Sequence, residues 1–171
     1  MKRTLSFLIM LLLVSSAFGQ INEEYNLDSL IVRLNTSKDT LAGVKEYTDQ
    51  IAEIFIAGVP DDHKSFQKLI TDVLEVAKKL DDQEGIGWAN YNLAKFEIGM
   101  NSGYSKALPL LLEAASFFND ANNKFGVSQC YMQMGVISYV SEYYEDAIKN
   151  FEMSLSYFDN PTSIYLMAIS Y

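Results

Sequence analysis

Apolar residues recur three and four positions apart along most of this chain, in blocks of about fifteen residues, the period of helices with one buried face. No run alternates apolar and polar residues long enough to argue a strand. The pattern predicts a short helix over about 25–36, with Leu27, Leu30, Ile31 and Leu34 on one stripe. Asn35, Thr36 and Ser37 break it. Asp39 or Thr40 can cap the next helix, which turns Val44, Tyr47, Ile51, Ile54 and Phe55 inward and stops at Gly58 and Pro60. Asp61 or Asp62 opens another, carrying Phe66, Leu69, Ile70, Val73, Leu74 and Ala77 to Leu80. Further helices are expected over about 84–99, 103–119, 124–140 and 142–158, and a last one from Pro161, a residue suited to a first helical turn.

The first 19 residues follow a different pattern. Lys2 and Arg3 precede an apolar run from Leu5 to Val14 broken only by Ser6, and small residues follow up to Gly19. This is the order of a secretory signal peptide, with cleavage expected after Gly19. The run is about half the length of a spanning helix, and an uncleaved membrane anchor is the alternative. No cysteine lies near the junction, which excludes lipid attachment there. No stretch within 20–171 is apolar enough to span a bilayer, so no membrane association is expected there.

The helices repeat. Residues 126–135 overlay 85–94, Tyr144, Ala147 and Ile148 overlay Tyr104, Ala107 and Leu108, and Tyr157–Phe158 overlays Phe117–Phe118, all offset by 40–41 residues. The small residues explain the period: two helices approach closely only where side chains are small. Ala94 and Gly135 are expected where one helix meets its partner, Ala107 and Ala147 on the partner helix, and Leu111 and Phe151 one turn later. Tyr104 and Tyr144 are expected to fill the turns. One such pair cannot bury its apolar face alone, so the pairs are expected to stack.

On these residues the chain resembles the tetratricopeptide repeat (TPR) family, whose pattern is aromatic-x2-Leu-Gly-x2-Tyr, then Ala-x3-Phe, then Pro. Tyr131, Met134, Gly135 and Ser138, then Ala147 and Phe151, then Pro161 follow it. Leu93, Ala94, Ala107 and Leu111 form an earlier, more degenerate copy, with Asn90 and Glu97 at aromatic sites. Ile164, Met167, Ala168 and Tyr171 begin a third that is cut off. The period is longer than the usual 34. The resemblance implies an all-α fold of antiparallel helix pairs stacked as a right-handed α-solenoid. Its divisions would be a signal peptide (1–19), an N-terminal helix (20–38), a degenerate first helix pair (39–83) and TPR-like repeats (84–171), the last truncated. A narrower likeness rests on the leader, the helix around Leu27–Ile31 and residues 74–86. It is to the exported N-terminal sensor regions of bacterial signalling proteins with histidine kinase, nucleotide cyclase or DNA-binding outputs. It implies a periplasmic or otherwise extracytoplasmic sensory role.

Charge narrows the partners. The chain has 13 basic and 22 acidic residues, and loss of Lys2 and Arg3 with the leader leaves a net charge of −11. A nucleic-acid binder presents a basic face, and none is visible. The lone Cys130 cannot form an internal disulfide and reads as a buried, inert thiol. His63, the only histidine, stands at a helix start without partners for a metal or for acid–base work. Glu142, Glu145 and Asp146 cluster at another helix start, where solvated acids are expected. Gly85 and Gly87 follow no strand, so a dinucleotide site is not indicated. No catalytic residue, cofactor or metal is expected in this segment.

The resemblance also implies a concave groove lined by the first helix of each pair. That carries over to Trp88, Tyr91, Asn92, Lys95 and Ile98, to Gln129, Met132, Gln133, Val136 and Tyr139, and to Tyr165 and Ile169. Mixed aromatic, amide and methionine surfaces suit peptides; packing between repeats is the other use of the same residues. The expected function is a protein- or peptide-binding scaffold or sensor module, with self-association possible. An exported helical enzyme, or an oligomerisation arm without a peptide ligand, is the alternative.

Overall fold

The computed structural model describes residue 32, residues 40–100 and residues 103–157. The signal peptide, the helix expected at 25–36 and the last repeat, with Tyr165 and Ile169, lie outside the described residues. The described chain forms six helices and no strand: α1 (Leu41–Ala57), α2 (His63–Lys79), α3 (Gln83–Gly99), α4 (Tyr104–Asp120), α5 (Lys124–Val140) and α6 (Tyr144–Ser156). Each expected helix within this range is present.

Local chemistry sets the helix starts. Thr40 Oγ1 accepts the Gly43 N–H at 3.1 Å, resolving the choice between Asp39 and Thr40. Asp62, not Asp61, caps α2 by accepting from Ser65 N at 3.1 Å. The Ser65 hydroxyl and backbone N–H hold the Asp62 carboxyl below its ordinary range. Asp82 caps α3 through Gly85 N at 3.0 Å, and Asn123 caps α5 through Gly126 N at 2.8 Å. The starts of α4, at Gly103, and of α6, at Tyr143, have no side-chain cap.

Three of the turns are built alike. Each places one residue in the left-handed region: Asp81 at φ 54°, Asn122 at φ 55° and Glu142 at φ 65°. The next N–H reaches back to a carbonyl five residues earlier, Asp82 to Ala77 at 3.0 Å, Asn123 to Phe118 at 2.8 Å and Tyr143 to Ser138 at 2.9 Å. These are Schellman-type closures that satisfy carbonyls at the helix ends. Asn and Asp tolerate the left-handed region because their short side chains bond locally, whereas Glu carries the full steric cost. Replacing Glu142 by Gly is therefore expected to stabilise the fold by about 1 kcal/mol. Asn122→Gly is expected to gain less, and chemical denaturation of both variants checks the order.

Successive helices fold back on one another, and two buried clusters result. The first joins Val44, Tyr47, Ile51 and Ile54 of α1 to Phe66, Leu69, Ile70, Val73, Leu74 and Ala77 of α2 and Ile86, Ala89 and Phe96 of α3. All six residues expected inward on α2 are there, and on α1 only Phe55 is merely half-buried. The second joins Tyr91 and Ala94 of α3 to Ala107, Leu111, Ala114, Ala115 and Phe118 of α4 and Val127, Cys130, Met134 and Ile137 of α5. Helix α3 contributes to both clusters, so it is buried nearly all round, and α5 is buried on most of its faces too.

Small residues mark the close approaches. Ala94, Ala107 and Ala147 are buried, and a Cβ built on Gly135 would lie 2.6 Å from Phe151 Cδ1. The two turn tyrosines differ. Tyr104 is half-buried against the second cluster, but Tyr144 is exposed and rests on Tyr139, ring centroids 5.8 Å apart. The same repeat position thus has unlike surroundings: α5 packs against α4, while no described helix follows α6.

Candidate protein-binding face

The face built by α3 and α5 is a product of the turns. Helix α4 runs between them in sequence, yet the two helices meet directly. The Tyr91 hydroxyl of α3 donates to Gln129 Oε1 of α5 at 3.4 Å, and Gln133 Nε2 donates to the Tyr91 oxygen at 3.4 Å. Gln129, Gln133 and Val136 recur at helical spacing along α5 and lead towards Tyr139, which is 61 % exposed.

The sequence-expected residues divide by burial. Tyr91, Asn92, Gln129 and Met132 are buried. Trp88, Lys95, Ile98, Gln133 and Val136 are half-buried, and Tyr139 is open. Surface accessible to a large partner therefore lies mainly along Gln133, Val136 and Tyr139, with Lys95 and Ile98 on α3. Lys95 does not join the α5 residues. Its ammonium sits 4.7 Å from the centre of the Phe55 ring of α1, a cation–π arrangement, and burial lowers its pKa. Asn90 Nδ2, Asn92 Nδ2 and Gln129 Nε2 are buried without a hydrogen-bond partner. Sequence reading gave Asn90 no role beyond a departure from the repeat pattern.

Trp88 is held by aromatic edges. Its ring meets Phe118 at 4.7 Å, Tyr91 at 5.7 Å and Phe125 at 6.2 Å between centroids. Glu84 accepts a 2.8 Å bond from Asn123 Nδ2, so the first turns of α3 and α5 are tied together, and it also meets the indole N–H at 3.5 Å. Beside Trp88 lies a cavity of about 200 Å³ lined by Leu41, Lys45, Thr48, Asp49, Asp82, Glu84, Gly85 and Trp88. Sequence reading missed it, because residues 41–49 and 82–88 come together only when α1 packs against α3. The Asp81–Glu84 acidic run was the one available signal.

The remaining chemistry-bearing groups stay apart. His63 is exposed at the first position of α2, its ring 6.5 Å from Phe96. Glu142, Glu145 and Asp146 are exposed, and Asp146 pairs with Lys149 at 3.4 Å. Burial pushes the Cys130 thiol up to about 12. Among the described residues no group of three or more His, Cys, Asp or Glu could hold a metal, and no helix is long and apolar enough to cross a membrane. Scans against protein-family models, curated proteins and solved structures find no match to the chain.

Proposed function

We propose that this chain is a tetratricopeptide-type module whose helix pairs stack as a right-handed solenoid and whose α3–α5 face binds a segment of another protein. The observation that carries the reading is the Tyr91–Gln129–Gln133 contact. It joins two helices separated by a third: Tyr91 and Gln129 are buried in the seam, and half-buried Gln133 and Val136 continue it outward to the exposed Tyr139. Such a surface combines apolar contact area with hydrogen-bond donors and acceptors for a peptide backbone. The repeat spacing and the Ala94/Gly135 and Ala107/Ala147 positions support the family reading. The leader-like N-terminus supports export, and with the sensor-region likeness it supports a place as the input region of a signalling protein.

The test is hydrogen exchange. The chain is screened against exported proteins, and amide exchange is then compared with and without a bound partner. Protection concentrated on α3 and α5 is expected. Protection confined to the outer face of α4 would place the partner elsewhere. Self-association has its own observation, the exposed Tyr139, Val140, Tyr143, Tyr144 and Ile148. Concentration-dependent protection of the turn between α5 and α6 without a partner would favour that reading.

A further inference from the structure

The cavity between α1 and α3 has a wall whose chemistry selects a ligand. Thr48, Asp49, Asp82 and Glu84 line it with oxygen, while Leu41 and Trp88 supply an aliphatic and an aromatic surface. Thr48 is 4 % exposed, and its hydroxyl hydrogen is committed to the Lys45 carbonyl at 2.9 Å. Its oxygen is therefore available only as an acceptor. Among the described residues of the wall the one cation is Lys45, which is turned to Asp49 at 2.9 Å on the exposed rim, where both side chains are more than half open. With Asp49 so paired, Asp82 and Glu84 leave an excess of negative charge among these described residues.

Acceptors, carboxylates and an indole together fit a cation that carries N–H donors on an alkyl stem. The ammonium or guanidinium end meets the carboxylates, and the stem lies along Leu41 and the indole. The volume matches: 200 Å³ holds about six or seven waters at their liquid density, more room than the five heavy atoms of a lysine side chain need. The acidic balance of the whole chain, 22 acidic against 13 basic residues, steers the same class of partner. We propose that this cavity receives a lysine or arginine side chain of the bound protein segment, so that the α3–α5 face selects a basic segment. This rests on the protein-binding reading above. It adds a specificity pocket at Trp88, the residue that belongs to both the cavity and the sequence-expected groove.

Trp88 is the only tryptophan, so its fluorescence reports the cavity directly. The chain is titrated with Nα-acetyl-lysine methylamide and its arginine counterpart. The controls are the same lysine compound acetylated on Nε, which is neutral, and free spermidine. A saturable change is expected with the two cationic side-chain probes, weakened by added salt, and none with the neutral one. Glu84→Gln keeps an acceptor for Asn123, and Asp49→Asn alters an exposed pair, so both variants should fold. The combined variant, with unchanged helicity, is expected to weaken the cationic probes at least fivefold. An equal response to the neutral probe, an unchanged response in the combined variant, or a response to spermidine alone would overturn the proposal. Partner protection of α3 and α5 without any amine response would sink the pocket and leave the protein-binding reading standing. Amine binding without partner protection would sink that reading and leave the pocket.

Discussion

Replacing Phe118 by alanine is expected to cost about 3–5 kcal/mol, a large share of the roughly 5–15 kcal/mol that holds a domain of this size together. Phe118 is fully buried at the end of α4 and lies between two glycines of the neighbouring helices. A Cβ on Gly87 of α3 would stand 2.7 Å from its ring, and one on Gly126 of α5 would stand 2.5 Å from it. The ring thus fills the space that two missing side chains leave, and it has little freedom to move aside. Gly126→Ala gains about 1 kcal/mol of helix propensity but adds an overpacking cost of about 1–3 kcal/mol. It should be destabilising on balance.

Combining Gly126→Ala with Phe118→Leu is expected to cost less than the two single changes summed, because the smaller side chain vacates space for the methyl group. Gly99→Ala is the contrasting case: its nearest neighbour would be Val59 at 4.0 Å, so the propensity gain should appear unopposed. Chemical denaturation of the four variants measures the cycle. Additive losses would show that Phe118 is not clamped by these glycines.

The helices were legible because their signals are local. Thr40 and Asp62 are among the caps expected from sequence, and the apolar stripe of α2 is one-sided enough to name all six buried residues; Asp82 and Asn123, not named from sequence, cap α3 and α5 in the same way. The close approaches of α3 to α4 and α5 to α6 were legible through Ala94, Ala107, Gly135 and Ala147. A small residue at a fixed place in a repeat has one main physical use. The unlike environments of Tyr104 and Tyr144 were not legible, since a repeat alignment assigns both the same role while exposure depends on what packs next.

The candidate face was legible only in outline. Helical periodicity cannot separate a groove-facing position from one that packs between helices when both faces of a helix are covered. This is why Tyr91, Asn92, Gln129 and Met132 are buried beside half-open Gln133 and Val136. The contact of Tyr91 with Gln129 and Gln133 spans about forty residues of sequence and depends on the packing of three helices. The cavity beside Trp88 also depends on tertiary packing. Asp82 and Glu84 stand at the start of α3, and Lys45, Thr48 and Asp49 meet them only through the packing of α1 against α3.

Removing Tyr139 and the Gln133 amide together is expected to weaken partner binding by more than tenfold without unfolding the chain. Tyr139 is the most exposed aromatic residue of the face, and its ring touches Tyr144 at the surface, so Tyr139→Ala should leave both buried clusters intact. Truncating a good aromatic anchor costs about 2 kcal/mol of binding, and 1.4 kcal/mol is a factor of ten. Gln133→Ala removes an amide that is half-buried beside Tyr91, and its loss adds to the first. Tyr91 itself is a poor choice for the test because its ring belongs to the second buried cluster. The most direct measurement is the affinity of the Gln133→Ala/Tyr139→Ala chain for a partner captured by the wild-type protein, with helicity recorded alongside. A fall of more than tenfold with unchanged helicity is the expected result; unchanged affinity in a folded double variant would contradict a binding face on α3 and α5.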